Sequence, residues 1–367
     1  MPEKTFIVAV DLQGTGVHPQ AWRRTDSRAE ELFTAQYWTG LIEQADSAGV
    51  DLVFIPDSFA LQSADGSELG RLDAASIAAR AAAPTHSIGL VPTVTVTHTE
   101  PFHVSKQIAS IDFASHGRAG WEVSVSESDA ETKSFGRKGV QSATSLWAEA
   151  DDAIEVVSRL WDSWEDDAEI RDVSTGRFID RDKLHYIDFE GEHFSVRGPS
   201  ITPRSPQGQS LVVIRATSDS LKVAAQRADI VRIAAPTVDE ASVIAARVRR
   251  AVVTAGRDPA NVHVLLDLDV LVSDSAGVDL AQLNGWGSYT SQSVSFVGES
   301  AGLVALLGEL EAVVDGVTLR PLALASALPA IAGVVSQLNR RSTSGLLRER
   351  LGLTRPANRY AAKESAK

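Results

Sequence analysis

The sequence predicts an α/β fold of the (β/α)8 TIM-barrel class, and three observations carry that expectation. Short apolar, β-branched runs alternate with longer segments of helical period along the whole chain, the signature of a parallel α/β protein. The runs number eight, which is the strand number of that barrel. Most are apolar on both faces, as strands buried between a barrel interior and an outer ring of helices must be. The 367 residues fit one large barrel with insertions, so residues 1–367 are read as a single domain.

In chain order the runs are Phe6 to Leu12, Leu52 to Pro56, Ile88 to Val96, Ala119 to Val125, Leu211 to Ala216, Ile230 to Ala234, Val262 to Val272 and Val317 to Leu324. Between them lie stripes of helical spacing: Trp38, Leu41, Ile42 and Ala45; Trp147, Ala150, Ile154, Val157 and Trp161; Ile244, Val248, Ala251 and Val252; Leu303, Leu306, Leu307 and Leu310. The acidic run Glu165 to Glu169 reads as a solvated helix end. Residues 170–209, rich in charge, Gly and Pro, read as a hairpin-bearing insertion after the fourth strand and its helix, expected over a barrel mouth. Residues 273–300 form a second polar, Gly-rich excursion, read as a lid-like loop. The tail, residues 361–367, is polar and expected to fray.

Composition narrows the function classes. Lys plus Arg is 35 and Asp plus Glu is 48, a formal charge of −13 that argues against nucleic-acid or anionic-membrane binding. The absence of cysteine removes disulfides, thiolate nucleophiles and Cys-ligated metals. No basic segment followed by a long apolar run opens the chain and no apolar stretch of spanning length occurs, so a cytoplasmic protein is expected. Gly14, Thr15 and Gly16 follow the first run, but the third glycine of a dinucleotide fingerprint falls at Pro19. The histidines (His18, His86, His98, His103, His116, His185, His193 and His263) show no metal-binding helical pair, and no metal site is expected. Neither a nucleophile elbow nor a phosphate-binding P-loop is present.

Barrel active sites form where strands end at their C-termini, so the polar residues there are the candidates. They are His18 beyond strand one, Asp57 at the end of strand two, Thr93, Thr95 and Thr97 in strand three, Ser124 and Ser126 at strand four, and Thr217 and Ser218 at strand five. Each has a structural alternative. Asp57 can cap the following segment, threonines at alternate positions are good strand formers on one face, and Thr217 with Ser218 either forms an anion pocket at the start of a helix or simply caps it.

Longer stretches carry a family resemblance. GVHPQAWRR, DLVFIPDSFAL, TEPFHVSKQIASIDFASHGRAGW, RLWDSWEDDA, FSVRGP and RPANRY run collinearly from about residue 7 to residue 361. The chain resembles the nitrilotriacetate, pristinamycin and dibenzothiophene-sulfone monooxygenase branch of the bacterial luciferase-like flavin enzymes. The resemblance implies a luciferase-like barrel, dimeric or higher, that takes reduced FMN from a separate flavin reductase and uses it with O2 on a small organic substrate. It further implies that Asp57 and Thr95 lie near the flavin ring, that Ser126 belongs to the cofactor site, that Thr217 and Ser218 lie at the phosphate, and that His18 faces the reactive edge. Such chemistry needs a dry pocket and a lid, for which 170–209 and 273–300 are the candidates.

The chain departs from the branch at informative positions. Glu122 and Val125 stand where Asn and Thr are usual, Trp147 aligns with a tyrosine near the phosphate, and a Gly-Ser-Ser turn has become Thr217, Ser218 and Asp219. The carboxylates of Glu122 and Asp219 weaken anion binding unless cations compensate, and Arg215 is the nearest cation in sequence. The chain is also shorter than the branch, mostly between residues 265 and 300. A barrel paralogue with weakened flavin binding, acting as a binding or partner subunit, is the alternative to an FMN-dependent monooxygenase; a deazaflavin-linked hydride enzyme is a third.

Overall fold

In the computed structural model, which describes residues 6–62, 68–338 and 344–361, all eight runs become strands of one closed parallel barrel. They are β1 (Ile7–Asp11), β2 (Leu52–Ile55), β3 (Gly89–Thr95), β4 (Gly120–Ser124), β9 (Leu211–Arg215), β10 (Ile230–Ile233), β11 (His263–Val272) and β13 (Gly316–Pro321), the remaining strands lying outside the ring. Pairing of Ile230 with His263 through Ile233 with Leu266 closes the ring on one side, and pairing of Ile7 with Gly316 through Val10 with Leu319 on the other. The second closure depends on Gly316: a Cβ there would lie 2.3 Å from the Ile7 carbonyl oxygen. Around the barrel pack α1 (Ala35–Ala48), α2 (Ala74–Ala81), α3 (Pro101–Ala114), α4 (Asp129–Phe135), α5 (Ala143–Asp162), α6 (Leu221–Arg227), α7 (Val238–Thr254), α8 (Ala276–Trp286), α9 (Ser300–Leu310) and α10 (Leu324–Val335). Their stripes, such as Trp38, Leu41, Ile42 and Ala45 on α1, lie in the main core against the outward strand residues Val8, Val10, Val53 and Ile55.

Inward-facing residues divide the barrel into two halves. The lower half is apolar: Ile7, Ala9, Leu52, Val91, Leu211, Val213, Ile230 and Leu265 fill it, and α11 (Leu347–Arg350) with the residues after it plugs it from below through Leu347, Leu351 and Leu353. Toward the strand C-termini the same rows become charged, which builds the candidate site.

The insertion contains two hairpins, β5 (Glu169–Asp172) with β6 (Arg177–Ile179) and β7 (Phe189–Glu190) with β8 (Ser195–Val196). It does not lie over the mouth. Because α5 runs antiparallel to the strands, the segment leaves from the end of the barrel opposite the mouth, and it packs Ile187 and Phe189 on Val156 and Leu160 of α5. The acidic run correspondingly departs from a solvated helix end. Arg204, nearly fully buried, contacts Asp162 and Asp166, both at 3.0 Å, while Arg355 contacts Asp166 at 2.7 Å and Arg359 contacts Glu155 at 2.9 Å. Insertion, α5 and C-terminal segment are thus joined by ion pairs.

Residues 273–300 are not a loop. They form α8 and β12 (Val294–Gly298), a ninth strand added parallel to β11 outside the ring. The polar tail falls, beyond Ala361, outside the described residues.

The ion pairs predict acid sensitivity of the insertion. Hydrogen bonds from Arg355, opposed by partial burial, and from Arg204 hold the Asp166 carboxyl at about 2. Burial would raise Glu155, but Arg159, Arg359 and Arg227 bring it to about 2. Unfolded carboxyls titrate near about 4, so this stabilisation is present at neutral pH and is lost as pH falls from about 4 toward 2. Hydrogen exchange across that range should show residues 169–209 losing protection before the barrel strands; simultaneous loss would show that these ion pairs do not anchor the insertion.

Candidate active site

A buried arginine organises the upper half of the barrel. Arg232 of β10 is fully buried, and its guanidinium donates to Asp267 of β11 at 2.9 Å, Glu122 of β4 at 2.9 Å and Asp11 of β1 at 2.8 Å. It also lies 4.3 Å above the ring centroid of Phe54 of β2, a cation–π contact. Glu122 accepts a further bond from Thr93 Oγ1 at 2.6 Å. Burial opposes the arginine's charge, but the surrounding carboxylates more than offset this and hold it above its ordinary value. Asp267 titrates below the usual range because Arg215 and Arg232 overcome its burial, whereas burial pushes Asp11 up despite Arg232 and Arg320. Glu122 is therefore compensated by a cation, and Arg215 points into the barrel, 2.9 Å from Asp267, not toward Asp219.

A second node joins the barrel to its cover. Buried Asp269 lies 3.2 Å from Arg320 of β13 and accepts from Tyr289 Oη at 2.7 Å and Ser291 Oγ at 2.5 Å. Burial, then the bond to Asp269, pushes the Tyr289 phenol up. Leu283 of α8 packs with Val17, Ala21, Leu271 and Leu322, so α8 covers the β1, β11 and β13 side of the mouth.

The β1 loop places His18 beneath this cover. Val17 and His18 donate their amides to Pro321 and Leu322 carbonyls, and this close approach requires Gly16, whose φ is +145° and whose added Cβ would meet Leu322 O at 2.3 Å. His18 is fully buried, with Nδ1 accepting from the Gln20 amide at 3.1 Å and Nε2 lying 3.2 Å from Asn284 Oδ1 of α8. Burial lowers its pKa against the Asn284 bond. An acceptor at Nδ1 and a donor at Nε2 define the neutral, Nε2-protonated ring.

Thr95 and Ser126 meet at 3.4 Å, and the Ser126 amide donates to Thr97 Oγ1. Asp57 accepts from the Ser58 and Ala74 amides, tying the β2 loop to the start of α2; burial raises its carboxyl. At β9, Thr217 Oγ1 accepts from the amides of Asp219 and Ser220, and the Thr217 amide donates to Ser220 Oγ. Ser218 Oγ donates to the Asp219 carboxylate at 3.1 Å. Bonds within the turn thus engage most of its polar groups. Trp147 is buried on α5 with no hydrogen bond from Nε1, and both ring nitrogens of His98, stacked on Phe135 at 4.5 Å, are likewise buried and unpaired within the described residues. A cavity of about 350 Å³ lies outside the barrel wall between the β1 and β2 loops and α1, and none of the residues expected at the site lines it.

The sequence reading missed Asp11, Arg232, Asp267, Asp269, Tyr289 and Arg320. Their signal was legible: a charged residue inside an apolar strand run, as in DIVRI and LLDLDV, has to find a partner of opposite charge across the barrel.

Comparisons with known proteins agree with the barrel fold. The luciferase-like monooxygenase family profile matches residues 9–297. N-acetyl-S-(2-succino)cysteine monooxygenase of Bacillus subtilis is 36% identical over 217 residues, covering 59% of this chain and 49% of the relative. Component A of nitrilotriacetate monooxygenase of Aminobacter aminovorans is 36% identical over 219 residues, covering 56% and 48%. The matches span about half the length of these relatives. Among solved structures, a long-chain alkane monooxygenase superposes with a TM-score of 0.88 at 20% identity over 99% of this chain and 100% of that one. A riboflavin lyase solved with modified FMN and riboflavin gives 0.84 at 21% identity, covering 95% and 96%.

Two outcomes follow. Arg232→Met strands Asp11, Glu122 and Asp267 without their shared cation and should cost about 3–5 kcal/mol in denaturant unfolding at neutral pH. The loss should shrink toward pH 4 as the stranded carboxylates take up protons; an equal loss at both values would mean that packing, not charge, is responsible. For His18, a nitrogen-15 imidazole spectrum at pH 6 should show the neutral Nε2–H form, and a protonated ring there would contradict the geometry.

Proposed function

Because the chain belongs to the luciferase-like monooxygenase family, we propose that it is the oxygenating component of a two-component, FMN-dependent monooxygenase acting on a small organic substrate in the cytoplasm. In this reading a separate flavin reductase supplies reduced FMN, and the enzyme works as a homodimer or larger oligomer. The carrying observation is the mouth itself: a polar floor of paired guanidiniums and carboxylates roofed by α8, with a neutral histidine held at the edge. A riboflavin lyase of the same fold was solved with modified FMN, and a relative is named as component A of a monooxygenase. No described helix is long and apolar enough to cross a membrane.

The residues fit a phosphorylated aromatic cofactor. Buried polar groups are normally satisfied, and the unpaired Trp147 Nε1 and His98 nitrogens are groups that a bound ligand would complete. Thr95, Ser126 and Asp57 would hold the ring side, Ser218, Thr217 and Trp147 the phosphate side. When bound, the flavin supplies the electrons that activate O2. His18, neutral and positioned by Gln20 and Asn284, would orient the reacting oxygen by turning its Nε2–H from Asn284 to it, while α8 and Tyr289 would exclude water from above.

One observation favours the second reading, a paralogue with weakened flavin binding. Asp219 sits on the Ser218 hydroxyl, and Thr217 consumes the amides of residues 219 and 220. Oxidised FMN should accordingly bind in the micromolar range or weaker, and Asp219→Ser should tighten it about tenfold, the effect of a charge contribution of about 1.4 kcal/mol. Calorimetric titration of both proteins checks this; nanomolar binding by the parent would refute the argument from Asp219. Oxygen uptake with a flavin reductase, NADH and FMN tests the function, and failure of the Asp219→Ser protein to bind FMN would favour the partner-subunit reading.

A further inference from the structure

The upper barrel contains four carboxylates, Asp11, Glu122, Asp267 and Asp269, and three guanidiniums, Arg215, Arg232 and Arg320. Each carboxylate already has a guanidinium partner. Arg232 serves Asp11, Glu122 and Asp267, and Arg320 serves Asp269 together with Tyr289 and Ser291. Arg215 is different. Arg232 meets Oδ1 of Asp267, and Arg215 meets Oδ2 at 2.9 Å through one terminal nitrogen alone.

Exposure separates it further. The side chains of Arg232, Asp267 and Asp269 have no accessible surface, and those of Asp11 and Arg320 expose 2% and 13%, whereas Arg215 exposes 42%. Alternation along β9 puts Leu211, Val213 and Arg215 on the inner face, so that exposed surface opens into the mouth. Its backbone is fixed by pairing to Arg232 and by the Ser220 hydroxyl bonding its carbonyl at 2.7 Å. Asp219 turns to the Ser218 hydroxyl instead.

We propose that Arg215 is the anion-reading residue of this mouth, taking a planar oxyanion from the molecule that enters it. A guanidinium offers five N–H donors in a fixed fork suited to such groups, and only one edge of this one faces Asp267. The oxyanion has two possible sources, a carboxylate of the organic substrate or the deprotonated N1–C2 carbonyl edge of reduced flavin. The second source rests on the flavin reading above.

The test uses the full chain with Arg215→Gln and Arg215→Lys, which leave the Arg232–Asp267 pair in place. Succinate and its neutral diamide are titrated by calorimetry, and oxidised and photoreduced FMN are titrated anaerobically by fluorescence. Preference of the parent for succinate over the diamide by tenfold or more, lost in Arg215→Gln and partly kept in Arg215→Lys, identifies a substrate carboxylate. A tenfold weakening of reduced FMN in Arg215→Gln, with oxidised FMN within twofold, identifies the flavin edge. The proposal is overturned if Arg215→Gln moves neither by more than twofold, or if the parent binds neither probe. Discrimination for succinate in a parent that binds no flavin sinks the flavin reading alone, and flavin binding indifferent to Arg215 sinks this proposal alone.

Discussion

A guanidinium with no access to water cannot be left unpaired, and the upper half of this barrel is built around meeting that demand for Arg232. Its three carboxylate partners come from β1, β4 and β11, so one side chain on β10 bonds across the lumen to β1 and β4 and sideways to its neighbour β11. A buried ion cluster of this kind is weak evidence for net stability, because hydrophobic replacements of similar volume often do as well. What it does accomplish is positional. Glu122 is held where Thr93 can donate to it, and Asp267 is held within reach of Arg215. The floor of the mouth is therefore preorganised before any ligand arrives.

The two ends of the barrel divide the labour. Below, an apolar plug from the C-terminal segment seals the lumen, and the insertion with its ion pairs buttresses α5. Above, the β1 loop and α8 close over a polar floor, joined through His18 with Asn284 and Asp269 with Tyr289. This polarity follows from topology: connections from strand to helix emerge at the strand C-termini and connections from helix to strand at the other end. An insertion in a helix-to-strand connection belongs to the scaffold, while an excursion in a strand-to-helix connection belongs to the site.

Much of the fold was legible because its cause is local. Eight β-branched runs buried on both faces and helices striped at 3.6-residue spacing leave periodic marks in sequence, and all eight runs became barrel strands. The exceptions had weak periodic marks. In AGVDLAQLNGW only Ala276 and Leu283 are buried, so α8 lacks a continuous stripe, and the short edge strand VSFVG alternates in burial. Of the candidate site residues, Thr95 with Ser126 is an actual contact and His18 is a fixed ring. Asp57 bonds the Ser58 amide and, 17 residues on, the Ala74 amide, whereas Thr217 bonds amides of its own turn.

By itself, the sequence determined the architecture, the strand order, the positions at which chemistry-bearing side chains leave the strands, and the family resemblance. All of these depend on residues near one another in the chain or on the alternation of faces. Tertiary structure alone decided which charges meet. Arg232 lies 221 residues from Asp11 and 110 from Glu122, separations over which only closure of the barrel brings side chains into contact. It also decided that Arg215, inward by alternation, meets Asp267 while Asp219 looks to Ser218, and that Tyr289 reaches Asp269. Strand tilt and loop path set those directions, and neither is written in the local pattern of residues.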